Sequence, residues 1–349
     1  MDFLEKNYNA SSSIFGWQFQ INAAILFFIN QVKGINSIRV EGENEDIEIS
    51  LSNGKKIFIQ AKSRSRLGTN PEALSNFSDG LKTLLHASNK EEYEKLYFVT
   101  NYPNPIGGKQ KQYNTFMGGY YIERKFDELS EVIPAAAKAK IKEVQDEYNL
   151  QFDTSRFHIA VIPFDGEIQE SRERIISART KEFLRSLSVD EGISRDIMEI
   201  WQSDMFFNAS NIKTDIELSK RGLIWPIVVL HTDLKPDDKL IDSMEEELDL
   251  ELEDIEIILA RYGTFINKKI EHFDFAIKVL SDYKFYRNNS KRKERKIDPF
   301  INNNWEAYKA DIYSEDMDDE LLETLIKVIL KKLLNKQKLI TKIVEEVNL

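Results

Sequence analysis

The sequence predicts an α/β fold followed by a mainly helical region, on three observations. The first hundred residues read as helix, three strands, helix, strand, an order that belongs to mixed helix–sheet domains. After Pro105 the pattern turns predominantly helical, and near residue 235 the composition becomes strongly acidic. The expected organisation is one domain over residues 1–235, with helical insertions, and a helical region for regulation or partner binding over 236–349.

Each element has a local reason. Ser11-Ser12-Ser13 offers helix N-caps before a run that is apolar nearly all round and stops at Gly34, so this helix should be buried. Short strands follow at Ser37–Glu41, Asp46–Leu51 and Lys56–Lys62. A loop at Gly68-Thr69-Asn70-Pro71 precedes a helix over Glu72–Ser88, with Leu74, Phe77, Leu81, Leu84 and Leu85 along one side. "LYFVT", Leu96–Thr100, is a short buried strand closed by Asn-Tyr-Pro-Asn-Pro. Helices are expected near Phe126–Tyr148, Glu167–Leu187 and Val189–Met205, and strands at Arg156–Pro163 and Ile224–Leu230. Over Asp318–Val347, a stripe from Leu321 to Leu333 at helical spacing marks a packing or association surface.

Composition narrows the chemistry. The chain has 349 residues, is 42% hydrophobic and contains no cysteine and four histidines. Disulfides and Cys-based zinc sites are excluded, and the histidines stand at unrelated spacings. A metal here would be held by carboxylates and carbonyls, which suits a hard ion such as Mg²⁺. The N-terminal "MDFLEKNYNASSS" lacks a basic segment leading into an apolar core, and Gln18, Gln20 and Asn22 interrupt the apolar run after it. A cytoplasmic protein with no membrane association is expected. The net charge of −11 argues against nucleic-acid binding by the whole surface but leaves room for a local basic groove. Acids dominate Thr232–Ala260; bases dominate Lys284–Lys296, "KFYRNNSKRKERK", a run that most simply is a solvated face.

The hairpin around Asn53-Gly54 carries the functional signal. A two-residue turn would pair Ser52 with Lys55 and mix apolar and charged side chains on both faces. Sliding by one places Ile47, Ile49, Leu51, Ile57, Ile59 and Ala61 on one face, and burying them is worth several kcal/mol. That register expects Asp46 opposite Lys62, Glu48 opposite Gln60, and a bulge or three-residue loop at Asn53-Gly54-Lys55. Asp46, Glu48, Gln60 and Lys62 then share a face. A solvated, salt-bridged outer face would give the same pattern.

Asp46 followed by Gln60-Ala61-Lys62 resembles the PD-(D/E)XK nuclease motif in its Gln-x-Lys variant, as in Mrr-type restriction endonucleases. "GWQFQ", Gly16–Gln20, is similar to that superfamily's upstream helical element. The run through "IRVEGENEDIEIS", "IFIQAKSR" and "LYFVTN" resembles the endonuclease domain of CBASS effectors that carry a SAVED sensor, and the nuclease subunit of Lamassu anti-phage systems. The resemblance covers residues 11–101. It implies a restriction-endonuclease-like core, a mixed sheet flanked by helices, acting as a Mg²⁺- (or Mn²⁺-) dependent endonuclease on double-stranded DNA. Asp46 would ligate the metal with the Ala61 carbonyl. Gln60 would lend an uncharged oxygen, and Lys62 would orient or help deprotonate water and stabilise charge at the phosphate. Glu41 could supply the carboxylate that Gln60 lacks, and Gln20 could reach the same site. Glu41 reads equally as a surface acid and Gln20 as a packing amide. Ser63, Arg64 and Arg66, with Lys109 and Lys111, would contact DNA; the first three read equally as solvating a loop.

Two rival readings stand beside this one: a cyclic-nucleotide-gated CBASS effector, and a catalytically silent subunit that keeps the nuclease fold as scaffold. The stretch after residue 235 is short for a SAVED sensor. A Lamassu-like effector, held by an SMC-like partner and small accessory defence subunits and forming a homo-oligomer when active, is therefore expected. "GGKQKQ", Gly107–Gln112, lacks the spacing of a P-loop, and no triad-type hydrolase motif is present.

Overall fold

The computed structural model describes residues 11–66, 68–107, 114–129, 131, 133–150, 153–166, 169–232, 252–267, 269–290, 296–312 and 317–349. These residues fall into two compact units, 1–185 with 194–220, and 186–193 with 221–349. The boundary expected near residue 235 lies outside the described residues, as do Lys109, Lys111, most of the acidic run and part of the basic run.

The first unit is an α/β layer structure around a mixed sheet. Its strands are β1 (Ile35–Val40), β2 (Ile47–Leu51), β3 (Lys56–Lys62), β4 (Tyr93–Thr100), β5 (Ile122–Lys125), β6 (Phe157–Val161) and β7 (Leu218–Ser219), in the order β5-β6-β4-β3-β2-β1-β7. The pairs β3–β4 and β4–β6 are parallel, and the others are antiparallel. Helix α1 (Ser11–Gln31) covers one face, where Phe27 meets the Tyr97 ring edge-on at 4.8 Å. Among the described helices α1 alone is long and apolar enough to cross a membrane. In this fold its apolar residues, Phe19 and Ala23 through Phe28, are buried in the core. Helix α2 (Ala73–Lys90) and helix α3 (Ala135–Tyr148) cover the other face, over a core that includes Phe58, Phe77, Leu84, Phe98, Phe157 and Ile159. Helices α4 (Gln169–Ser186) and α5 (Ser194–Ser210) follow, and α5 packs on α1 and β1.

The hairpin keeps the expected faces but not the expected partners. Ile47 pairs with Ile59, Glu48 with Phe58 and Ile49 with Ile57, two residues away from the pairing of Asp46 with Lys62. The loop is Ser52-Asn53-Gly54, closed by Leu51 N–H donating to Lys55 O at 2.9 Å, with Gly54 at φ +82°. Parity alone decides which face a side chain joins, so a two-residue slip leaves the apolar face intact. Only the loop fixes the partners, and it places glycine where positive φ is needed.

Other elements also differ from expectation. Ile224–Leu230 is not a strand but part of helix α6 (Lys220–Thr232): a short apolar run fits a buried helix as well as a buried strand. The helix expected over Phe126–Tyr148 is broken, with a 3₁₀ turn at Phe126–Leu129 and α3 beginning after Pro134. The helix expected from Val189 begins at Ser194.

The second unit is helical where described. Helix α6, from Arg221 onward, and helices α7 (Leu252–Asn267), α8 (Lys269–Asn289), α9 (Ile297–Asn304), α10 (Lys309–Ile312), α11 (Asp319–Asn335) and α12 (Gln337–Val347) belong to it. Asp318 caps α11, its side chain accepting from Leu321 N–H at 2.9 Å. The Leu322–Leu333 stripe is buried and packs against α7, α8 and α9.

Candidate functional site

The sequence-predicted residues meet where β1 ends, β2 begins and the parallel strands β3 and β4 finish. The carboxyl ends of parallel strands are the usual place for a site in open α/β sheets. Asp46 Oδ2 accepts from Ala61 N–H at 2.8 Å and from the Gln60 amide nitrogen. Gln60 Oε1 instead accepts from Thr83 Oγ1 of α2 at 2.6 Å. Gln60 is 3% exposed, so α2 roofs this face and it is not the solvated outer surface of a hairpin. Gly80 makes the roof possible, because a Cβ there would lie 2.6 Å from Phe98 and 3.2 Å from Gln60 Cγ.

Gln20 reaches the same place from α1 and hydrogen-bonds both Glu41 and Asp46. Glu41 itself sits at φ +54°, an uncommon conformation for a residue with a long side chain. Its N–H donates to Asp46 O at 2.7 Å, closing the β1–β2 turn. Burial pushes the Glu41 and Asp46 carboxyls above their ordinary range. The Asp46 rise is opposed by the Ala61 N–H, by Lys62, and by Gln20 and Gln60; Glu41 is raised further by Asp46 itself. Lys62 acts electrostatically on both. Gly16 of "GWQFQ" lies 3.9 Å from Ser63 Oγ, measured from where its Cβ would be, so α1 and the end of β3 adjoin.

Glu48, which the hairpin placed on the same face, has a different part. Its Oε1 accepts from Asn44 N–H at 2.6 Å and from Glu45 N–H at 3.3 Å, and its Oε2 pairs with Lys56 at 3.2 Å. It props the turn that carries Glu45 and Asp46. Gly42 makes way for it, since a Cβ there would lie 2.5 Å from Glu48 Oε1.

The segment after Lys62 is held by two asparagines that sequence reading passed over. Asn101 accepts from Arg64 N–H at 2.8 Å and donates to Arg64 O at 2.7 Å and Phe164 O at 2.9 Å. Asn104 makes the equivalent pair with Asn70, at 2.7 and 2.8 Å. Two Asn residues spaced by three, directly after a buried strand, were the available signal. Arg64 turns its guanidinium to Thr69 O, whereas Arg66 is exposed. Arg39 was also missed. It is buried within β1 and donates to the carbonyls of Glu41, Asn211 and Ile216, tying the turn to the segment after α5.

The donor set fits a hard divalent cation by its chemistry. It offers carboxylates and a backbone carbonyl, carries more acids than bases, and includes a buried carboxylate oxygen, Glu45 Oε1, with no hydrogen-bond partner. As the side chains stand, no three acidic or histidine residues among the described ones converge on a common point.

No family model and no curated protein matches the sequence. Among solved structures the chain is similar to the Moraxella osloensis Cap4 SAVED/CARF-domain containing receptor, at 11% identity and a TM-score of 0.38. The match covers 64% of this chain and 50% of that one, and so spans about half that receptor's length. It is too distant to carry a functional argument.

Proposed function

We propose that this protein is a metal-dependent endonuclease acting on double-stranded DNA, of the PD-(D/E)XK type in its Gln-x-Lys form. The carrying observation is the meeting of Asp46, Gln60, Lys62, Glu41 and Gln20 at one end of the sheet, five residues that the sequence spreads over a helix, the β1–β2 turn and β3. The resemblance of residues 11–101 to nucleases of CBASS and Lamassu systems supports an effector role in anti-phage defence. On that reading an SMC-like partner restrains the chain and release lets it oligomerise.

Asp46 and Glu41, with the Ala61 carbonyl, would hold Mg²⁺ or Mn²⁺. When bound, the ion neutralises charge at the scissile phosphate and makes water a better nucleophile. Around it the chain's own groups have separate tasks. The Gln60 amide and the Ala61 N–H fix the Asp46 carboxylate, and Gln20 bridges it to Glu41. The Lys62 ammonium orients the attacking water and offsets the negative charge that builds on the phosphate as the water oxygen bonds to phosphorus and the ester bond breaks. Ser63 and Arg66 engage the DNA backbone.

Duplex DNA incubated with Mg²⁺ or EDTA, using wild type, Asp46→Ala and Lys62→Ala, tests the reading. Cleavage by wild type that disappears in both variants and in EDTA is expected. Cleavage that survives both substitutions would end it.

A further inference from the structure

We propose that Glu45 is a further acidic oxygen donor of the site, a carboxylate ligand for the divalent cation beside Asp46. The inference rests on the metal-dependent reading above. It starts from Gln60, whose amide nitrogen is committed to Asp46 and whose oxygen accepts from Thr83. As placed, Gln60 orients Asp46 and does not present its own oxygen beside it.

Glu45 is next to Asp46 in the chain, 5% exposed, and close enough to Asp46 and Lys62 to interact electrostatically with both. Its polar atoms are poorly served. Oε2 lies 3.3 Å from Thr83 Oγ1, but that hydroxyl has one proton and stands closer to Gln60 Oε1, at 2.6 Å. Oε1 is fully enclosed and has no partner. A buried oxygen left without a donor is destabilising, so a side chain kept only for packing would be better as an apolar group.

The backbone, by contrast, is held firmly. Glu48 accepts from Glu45 N–H, Glu45 O accepts from Gly42 N–H at 3.0 Å, and Glu41 N–H bonds Asp46 O. The fold therefore delivers an unsatisfied carboxylate to a fixed place beside Asp46. A cation is the partner that such an oxygen lacks.

The test is Mn²⁺ or Mg²⁺ binding to the full chain, by calorimetry and by the rise in melting temperature on adding the ion, for wild type, Glu45→Gln, Glu45→Asp and Asp46→Asn. Glu45→Gln should melt no lower than wild type without metal, yet bind the ion at least tenfold more weakly and lose most of the metal-induced rise. Glu45→Asp, which keeps the charge on a shorter arm, should fall between the two and serves equally if Glu45→Gln does not fold. Wild-type affinity in both Glu45 variants, with loss in Asp46→Asn, would overturn the role of Glu45 and leave the nuclease reading intact. A wild-type chain that binds neither ion, alone or with uncleavable phosphorothioate duplex, would remove both.

Discussion

A methyl group at Gly80 would meet the Phe98 ring at 2.6 Å and the Gln60 side chain at 3.2 Å. Alanine would gain about 1 kcal/mol of helix propensity, but overpacking a filled core costs about 1–3 kcal/mol. Gly80→Ala should therefore lower stability by about 1 kcal/mol in denaturant unfolding. It should also lower cleavage more than stability requires, because the ring and Gln60 must move together. A second residue-scale case lies on the opposite face, under α1. Glu123 receives Tyr97 and Tyr121 hydroxyls at 2.9 and 2.7 Å and sits 2.9 Å from His158 Nδ1. Burial pushes its carboxyl up, but the imidazole of His158 beside it and the hydrogen bonds from Tyr121 and Tyr97 outweigh this and hold it at about 2, against an ordinary 4.5. A depressed carboxyl stabilises the fold above its unfolded value, and that contribution disappears as pH falls from about 4.5 to about 2. For a side chain 31% exposed the contribution is about 2 kcal/mol after screening. Unfolding free energy measured against pH should show this slope in wild type and a flatter one in Glu123→Gln.

At the scale of elements, strand β3 was legible to the residue. Ile57, Ile59 and Ala61 alternate with Lys56, Phe58, Gln60 and Lys62, and the strand is read as it folds, Lys56–Lys62. Strands β5 and β7 were not legible: "IERK" has a single apolar residue and β7 has two residues, so only pairing with β6 and β1 makes them strands. The same division holds in the site. Asp46, Gln60, Ala61 and Lys62 could be found by spacing because they lie on one hairpin. Thr83, Asn101 and Asn104 could not, because they arrive from α2 and from beyond β4. The hairpin register shows what pattern cannot fix. Apolar parity chose the faces, while the pairing came from a loop whose one demanding position is Gly54. At φ +82°, with nothing near its absent Cβ, Gly54→Ala should cost about 1 kcal/mol from backbone strain alone. Equilibrium unfolding would measure this, with cleavage unchanged since Gly54 lies at the far end of the strands from Asp46.

On the endonuclease proposal, the molecule as a whole is an acidic body that must approach a polyanion. The chain carries −11, so long-range attraction cannot draw it to DNA, and binding must come from cations placed at the site. Among the described residues the resemblance gives the cations Arg64 and Arg66 to this task and sets Lys62 against the scissile phosphate, with Arg64 already engaged by Thr69. Counterion release gives a slope of about −0.9 in log affinity against log salt for each phosphate neutralised. Two contacts, from Lys62 and Arg66, predict a slope near −1.8, or about 12-fold weaker binding between 50 and 200 mM salt. That is shallow beside proteins that clasp DNA with many cations, and it fits an enzyme whose affinity grows when several copies bind one duplex. Fluorescence anisotropy with a labelled duplex in Ca²⁺, across that salt range, tests the count directly. Arg66→Ala should reduce the slope by about 0.9 and weaken binding alike on unrelated sequences, as a backbone contact does. Arg64→Ala should change the slope less, because its guanidinium is held within its own loop. An unaltered slope in Arg66→Ala would place the DNA path elsewhere on the protein.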